Sequence, residues 1–150
     1  MLHVVLFQPE IPHNTGAVGR LCLATAARLH LIKPLGFSLE DKHLKRAGLD
    51  YWQEVDVRVW DSLEELRAAA GASSRFFFIT TKATKSYWDA VLPDESYLVF
   101  GPETRGLPES LLHQEAASCL RIPMRGTRSL NLATAVSIVL YEAVRQQGAV

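Results

Sequence analysis

The sequence lacks the features that mark strongly charged, disulfide-bonded, metal-binding or membrane-spanning proteins. Its 16 Lys and Arg residues are balanced by 16 Asp and Glu residues, so no net charge draws the chain towards a polyanion. Its two cysteines, Cys22 and Cys119, lie in apolar surroundings outside any Cys-x-x-Cys pattern, which disfavours a metal site and a disulfide framework. The longest apolar runs are far shorter than the roughly 20 residues that span a bilayer. We expect a chain with two core thiols, no metal and no membrane span.

Common nucleotide-binding and hydrolytic motifs are also absent. No Gly-x-Gly-x-x-Gly sequence follows the first apolar run, and no P-loop, His-Glu-x-x-His or Gly-x-Ser-x-Gly sequence occurs. Ordinary dinucleotide-binding, NTPase, zinc-protease and hydrolase functions therefore lack their central residues. The N-terminus has neither a basic stretch nor a small-residue cleavage site, so we expect the first strand of a cytoplasmic protein rather than a signal peptide.

What is present is an alternation of short apolar runs and helical patterns along 150 residues, of which 48% are hydrophobic. The alternation predicts a single α/β domain over residues 1–150, a three-layer parallel sheet with helices on both faces. The predicted strands are Leu2–Phe7, Leu29–Ile32, Val55–Trp60, Arg75–Ile79, Tyr97–Phe100 and Cys119–Ile122. The predicted helices are Thr15–Ala26, Glu40–Ala47, Ser62–Ala70, Pro108–Gln114 and Asn131–Gln147.

The last predicted helix is unusual because nearly every residue from Leu132 to Tyr141 is apolar or small. A helix that is apolar on all sides is expected to be buried on all sides. One face can cover the sheet, and a second copy of the chain would cover the opposite face. We therefore expect a homodimer through the C-terminal helix, the alternative being a helix enclosed within one chain.

The first of three polar segments follows the first predicted strand and runs from Gln8 to Arg20. Asn14 is placed to cap the next helix. Arg20 lies about two turns further on in an apolar surface, where an arginine usually has a fixed anionic partner. The alternative is a plain cap and a solvated arginine.

The second segment, Phe100–Pro108, contains two glycines, two prolines and a Glu/Arg pair directly after an apolar strand. Glycine allows close ligand approach and proline fixes the backbone, so we expect a rigid functional loop at the carboxyl end of the sheet. The third segment, Ile122–Ala135, precedes the last helix. Ser129 and Asn131 straddle the helix start, and two arginines nearby indicate contact with a phosphate or nucleotide rather than a purely solvated loop.

Together these three segments resemble the signature motifs of the SPOUT-class RNA 2′-O-ribose methyltransferases. The matching residues are Asn14-x-Gly16-x-x-x-Arg20, then Leu98 to Leu107, then Ile122-Pro123-Met124 with Ser129 to Ala133, in that order along almost the whole chain. The resemblance is closest to the minimal single-domain bacterial enzymes that methylate nucleotide 34 of tRNA, at cytidine or a modified uridine.

The resemblance implies a C-terminal deep trefoil knot, a feature otherwise essentially absent from proteins. It also implies that the knot binds S-adenosylmethionine and needs no metal. The cofactor-binding residues that it implies are Ile79, Thr80, Phe100, Gly101, Pro102, Gly106, Ile122, Met124, Ser129 and Leu130.

The catalytic residues implied by the resemblance are Arg20, Asn14, Glu103, Ser129 and Asn131. Because a guanidinium stays protonated, we interpret Arg20 as an orienting and charge-stabilising group at the target ribose or its phosphate.

With no net charge, contact with tRNA must depend on local basic clusters. The expected RNA-binding residues are Arg20, Lys42, Lys45, Arg46, Lys82, Arg125 and Arg128. Two alternatives remain open: a ribose methyltransferase for another tRNA position or for ribosomal RNA, and a non-catalytic nucleotide-binding α/β protein.

Overall fold

A computed structural model describes residues 1–47, 51–127 and 129–148 of the chain, and it contains one parallel six-stranded sheet. Every pair of neighbouring strands runs parallel, in the order β3-β2-β1-β5-β4-β6. The strands are β1 (His3–Phe7), β2 (Arg28–Ile32), β3 (Val57–Trp60), β4 (Arg75–Ile79), β5 (Ser96–Phe100) and β6 (Cys119–Leu120).

Within these residues, five α-helices cover the two faces of this sheet: α1 (Pro12–Thr25), α2 (Lys42–Ala47), α3 (Leu63–Ala69), α4 (Glu109–Gln114) and α5 (Leu132–Gln147). The core under α1 and α5 forms one apolar cluster, and the core under α3 and α4 forms another. Neighbouring residues of β1 alternate between them, since Val4 faces the first cluster and Val5 the second. The predicted three-layer α/β architecture is therefore confirmed.

The predicted boundaries are close to the observed ones, with the largest difference at the start of α1. This helix begins at Pro12, because proline at the first helical position loses no hydrogen bond. Its N-cap residue is Ile11, and Asn14 lies inside the first turn. The prediction that Asn14 caps this helix is wrong.

Both cysteines are buried, as predicted for core thiols. Burial in the apolar core raises the pKa of the Cys22 thiol well above its ordinary value. No helix within the described ranges is long and apolar enough to cross a membrane.

Helix α5 is not buried on all sides in the single chain. Val136, Val139 and Leu140 are fully buried against the sheet, whereas Tyr141 on the opposite face is 43% exposed. The alternative of a helix enclosed within one chain is therefore wrong, because nothing in the described part of the chain covers this outer face, and the homodimer stays a prediction.

A buried chain of hydrogen bonds crosses the sheet on the α3 side. The indole Nε1 of Trp60 lies 3.0 Å from His30 Nδ1, and His30 Nε2 lies 2.9 Å from His3 Nδ1. His3 Nε2 in turn lies 3.0 Å from Glu95 Oε1. The indole can only donate, so His30 donates to His3 and His3 donates to Glu95, which fixes the neutral tautomer of both rings. Burial lowers the pKa of His30 to about 3 and also lowers the pKa of His3.

Candidate functional site

The main cavity of the described residues lies at the carboxyl ends of the strands and has a volume of about 480 Å³. Such a volume is in the usual range for a small-molecule site, and this edge of an open parallel sheet is where such sites form. Loops after β4, β5 and β6 and the starts of α1 and α5 supply the walls. The lining residues that the sequence singled out are Asn14, Ile79, Thr80, Lys82, Phe100, Gly101, Pro102, Glu103, Gly106, Ile122, Met124, Ser129, Leu130 and Asn131.

The loop after β5 is tightly folded. A Cβ on Gly101 would lie 2.5 Å from the Leu107 nitrogen and 2.6 Å from the Gly106 carbonyl carbon, so the two ends of the loop touch through backbone atoms. Gly106 has a φ of +71°, and its amide donates to the Pro102 carbonyl at 2.9 Å. The loop therefore presents a fixed backbone to the cavity.

Glu103 joins this loop to the first polar segment. Its Oε1 accepts the backbone amide of Glu10 at 2.8 Å, and its Oε2 accepts the amide of Ile11 at 2.9 Å. Oε2 also lies 3.3 Å from Asn14 Nδ2, which donates to it. The carboxylate thereby anchors the backbone just before α1 to the loop after β5.

Asn14 and Asn131 extend this connection to the last helix. Asn131 Nδ2 donates to Asn14 Oδ1 at 3.1 Å. Asn131 Oδ1 accepts the amides of Ala133 at 2.9 Å and Thr134 at 3.3 Å, so Asn131 caps α5. The three polar segments of the sequence are thus held together by the hydrogen-bonded series Glu103, Asn14, Asn131.

Charges at the cavity rim are partly paired. Lys82 forms an ion pair with Glu109. Arg105 is 60% exposed, and its Nε lies 3.6 Å from Glu10 Oε2. Hydrogen bonds from the backbone and hydroxyl of Thr104, together with the charge of Arg105, lower the pKa of Glu10. The carboxylate of Glu10 is therefore ionised at neutral pH.

Several residues predicted to take part in function lie outside the cavity. Arg20 is exposed, and no hydrogen bond or ion pair to it occurs in the described part of the chain, so the expected fixed anionic partner is absent there. Lys42, Lys45 and Arg46 are exposed on α2, which packs against α1, and Lys45 pairs with Glu40 at 2.9 Å. Arg125 is exposed near the cavity, and Arg128 lies outside the described residues.

The structure adds cavity residues that sequence reasoning did not select, notably Ile11, Thr104 and Arg105. Thr104 and Arg105 were inside the segment already marked by its glycines and prolines, so their position was signalled but not their orientation. Glu10 gave a weaker signal, an acid beside Pro9 at the end of an apolar strand. Within the described ranges no group of three or more His, Cys, Asp or Glu side chains is placed to hold a metal ion.

Comparison with known proteins gives a consistent result. The model of the SpoU rRNA methylase family matches residues 1–141. A Bacillus subtilis (strain 168) protein, provisionally named a tRNA (cytidine(34)-2′-O)-methyltransferase, is 54% identical over 150 residues, which cover 97% of this chain and 93% of that protein.

Two solved structures have the same fold. One, which gives structural insights into the 2-OH methylation of C/U34 on tRNA, has a TM-score of 0.94 and 49% identity, covering 99% of this chain and 97% of that one. The SpoU methyltransferase AviRb of Streptomyces viridochromogenes, in complex with AdoMet, has a TM-score of 0.85 and 26% identity, covering 100% of this chain and 62% of that one. These matches confirm the resemblance inferred from the three polar segments, and the chain belongs to the SpoU rRNA methylase family.

Proposed function

We propose that this protein transfers a methyl group from S-adenosylmethionine to the ribose 2′-hydroxyl of nucleotide 34 of tRNA. The observation that carries the proposal is that the three polar segments meet at one cavity through Glu103, Asn14 and Asn131. The tRNA specificity named for a relative that is 54% identical supports the choice of substrate. A tRNA substrate would place the activity in the cytoplasm.

The cavity suits the cofactor in both size and lining. Apolar side chains of Ile79, Phe100 and Ile122 would contact an adenine ring, and the backbone of the Gly101 loop would meet its polar edge. When bound, S-adenosylmethionine supplies an electrophilic methyl group on a positively charged sulfur. The 2′-oxygen would donate an electron pair to the methyl carbon and lose its proton while the carbon–sulfur bond breaks and the sulfur becomes neutral, so positioning of the two groups accounts for most of the expected catalysis.

The polar side chains divide into two roles. Asn14, Glu103 and Asn131 are bonded to one another and to backbone amides, so we assign them to holding the three loops in register. Ser129 is exposed on the cavity wall, and we assign its hydroxyl to direct contact with the substrate.

Arg20 is the residue we assign to the RNA. It lies six positions after Asn14 on α1, which is about 9 Å along the helix axis. A nucleotide whose ribose enters the cavity would have to place a phosphate at this part of α1 to meet the guanidinium. The guanidinium would keep its proton and hold a phosphate, and a phosphate oxygen or water would accept the hydroxyl proton.

We further propose that residues 1–150 form one domain with a C-terminal trefoil knot. The adjacency of β4 and β6 and the cavity loops that follow them are compatible with that knot. Exposed Lys42, Lys45 and Arg46 on α2, together with exposed Arg125 near the cavity, would contact the tRNA backbone. We also assign Arg128, which lies outside the described residues, to the tRNA.

A homodimer is the proposed assembly. The exposed face of α5 contains Ile138 and Tyr141, and the neighbouring helix α1 exposes 36% of Leu23. Pairing of two such faces about a two-fold axis would bury apolar surface and bring the α1 helices, with Arg20, close to the interface.

The experiment that tests the function is methyl transfer from labelled S-adenosylmethionine to unmodified tRNA, with mapping of the product nucleotide. We expect a 2′-O-methyl group at position 34. We expect R20A to reduce the rate at least about 100-fold, as loss of a preorganised charge-stabilising donor does, with cofactor affinity unchanged within about twofold.

The matched control is R75A, which removes an exposed arginine at the amino end of β4, at the opposite end of the sheet from the cavity. Methylation of another tRNA position or of ribosomal RNA would show that the substrate is not nucleotide 34 of tRNA. Cofactor binding without transfer to any RNA would favour a non-catalytic protein. Loss of cofactor binding in R20A would contradict the assignment of Arg20 to the RNA.

A further inference from the structure

Two loops of the site are joined by two glutamates, each of which accepts hydrogen bonds from the backbone of the other loop. Glu103, in the loop after β5, accepts the backbone amides of Glu10 and Ile11. Glu10, in the loop after β1, accepts the backbone amide of Thr104 at 2.8 Å and its hydroxyl at 2.8 and 3.0 Å. Each loop therefore supplies an acceptor to the backbone of the other, and the bonds to an ionised carboxylate are stronger than neutral ones.

The backbone of Glu10 is also supported from behind. Gly36 donates its amide to the Pro9 carbonyl at 2.9 Å. A Cβ on Gly36 would lie 2.7 Å from the Glu10 carbonyl oxygen and 2.8 Å from its Cα, so the two backbones are in contact. The backbone of Gly36 therefore prevents the loop after β1 from moving away from Thr104, and the Glu10 carboxylate stays in contact with Thr104.

The contacts of Glu10 place it next to the cavity wall without making it part of that wall. Thr104 and Arg105 line the cavity, whereas Glu10 does not. Its side chain is 29% exposed, and it also lies 3.6 Å from the guanidinium Nε of Arg105. Such a side chain can act on a bound molecule only through the residues that it holds.

We propose that Glu10 is a positioning residue for methyl transfer, which holds Thr104 and Arg105 so that the cofactor and the RNA meet a preformed loop. This inference rests on the proposed function, because methyl transfer is the reaction in which Glu10 would act. A preformed binding loop increases affinity because no conformational entropy has to be lost to order the loop when the ligand binds. Loss of Glu10 should therefore weaken cofactor binding more than it slows the chemical step.

The test compares E10A and the isosteric E10Q with E64A in the full-length protein. Glu64 is an exposed acid on α3, outside the cavity, and so provides a matched loss of charge. The measurements are the Kd for S-adenosylmethionine by calorimetry without RNA, the KM and kcat with tRNA, and the Tm. We expect E10A to raise the Kd and KM for the cofactor about tenfold, E10Q to raise them less, and E64A to leave them within about twofold.

This comparison separates positioning from mere folding support. A fraction of misfolded enzyme lowers the apparent kcat and leaves the KM unchanged, so a wild-type KM in both E10A and E10Q would overturn the proposal, whatever the Tm. A wild-type protein that binds the cofactor but does not methylate tRNA would refute the proposed function, and the effect of Glu10 on the Kd would still be measurable.

A second variant, T104V, removes the hydroxyl that donates to Glu10 and keeps the backbone amide. If the two residues act as one unit, the double variant E10A/T104V raises the Kd no further than E10A alone. Multiplication of the two single effects would show that Thr104 acts independently of Glu10 and would overturn the proposal.

Discussion

At the level of single residues, the polar groups of the site are largely engaged with one another. The carboxylate of Glu103 binds two backbone amides, and the amide groups of Asn14 and Asn131 bind each other. These side chains therefore build the cavity and do not wait for a ligand to order them. The close backbone contact between Gly101 and residues Gly106 and Leu107 also fixes the shape of the cavity.

The glycine at position 101 gives the sharpest test at this scale. In G101A the new methyl group would overlap the Leu107 nitrogen and the Gly106 carbonyl carbon, which are backbone atoms that cannot rotate away. The loop must open, and we expect the affinity for S-adenosylmethionine to fall at least about 30-fold, equivalent to about 2 kcal/mol. Titration calorimetry measures this directly.

Gly71 provides the control, because nothing lies within 4 Å of a Cβ built there. G71A should bind the cofactor as the wild type does. Equal affinities of G101A and G71A would show that the close approach of the loop ends has no part in binding.

The sequence allowed us to predict which residues line the site better than which of them are hydrogen-bonded to each other. Glycine and proline at strand ends marked the loops, because few other functions require so many of them in nine residues. The partner of each side chain depends on how distant segments meet, so the pairing of Asn14 with Glu103 and Asn131 could not be predicted. The same limit explains why Asn14 was wrongly placed at a helix cap and why Glu10 was not selected.

At the level of elements, the sheet contains a polar seam between strands that are otherwise apolar. Trp60 on β3, His30 on β2 and His3 on β1 form consecutive hydrogen bonds that end at Glu95, just before β5. Protonation of either ring would place two donors against each other. The seam is therefore satisfied only while both histidines are neutral.

This seam predicts a pH-dependent stability. Because the pKa of both histidines is lower in the folded protein than in the unfolded chain, the unfolded chain binds more protons below about pH 6.5. The free energy of unfolding should then decrease as the pH falls, by about 1 kcal/mol between pH 7 and pH 5.5 from His30 alone, with a contribution of the same sign from His3. Urea unfolding at several pH values gives this slope.

The variant H30Q should reduce that slope, since it removes one titrating ring while keeping groups that can bond to Trp60 and His3. Substitution of the exposed His113 by Gln, H113Q, is the matched control and should leave the slope unchanged. A slope in H30Q equal to that of the wild type would contradict the assigned role of the pair.

The strands, their order in the sheet and the hydrogen bonds between them could be predicted from the sequence to different degrees. Strands buried on both faces appear in the sequence as short continuous apolar runs, so all six were found. Their order in the sheet was not, because the order depends on crossovers and not on any local pattern. The polar seam was also missed, since His3 and His30 are 27 positions apart along the chain.

At the level of the whole molecule, the outer face of α5 is a helix face that the described residues of the single chain leave uncovered. Thr134, Ile138, Tyr141 and Arg145 share this face at helical spacing, and Tyr141 is 43% exposed. Apolar groups on a helix that otherwise packs against the core favour association with a second copy.

A charge at the centre of this face tests the proposed dimer. We expect Y141E to raise the dimer dissociation constant at least about tenfold, because pairing would bury two carboxylates. Analytical ultracentrifugation over a range of concentrations measures the constant. V59E introduces the same charge at a residue that is 37% exposed on the edge strand β3, away from α5, and should not affect association. A wild-type protein that stays monomeric at micromolar concentration would exclude the assembly.

The cavity takes its walls from both ends of the chain, with Ile11 and Asn14 near the start and Asn131, Leu132 and Ala135 near the end. A chain still emerging from the ribosome has the first wall long before it has the last. The site therefore cannot capture its cofactor during synthesis until α5 has left the exit tunnel and folded back onto β5. Cofactor binding would thus require the folded last helix, and a truncated product that lacks this helix would be unable to compete for the cofactor.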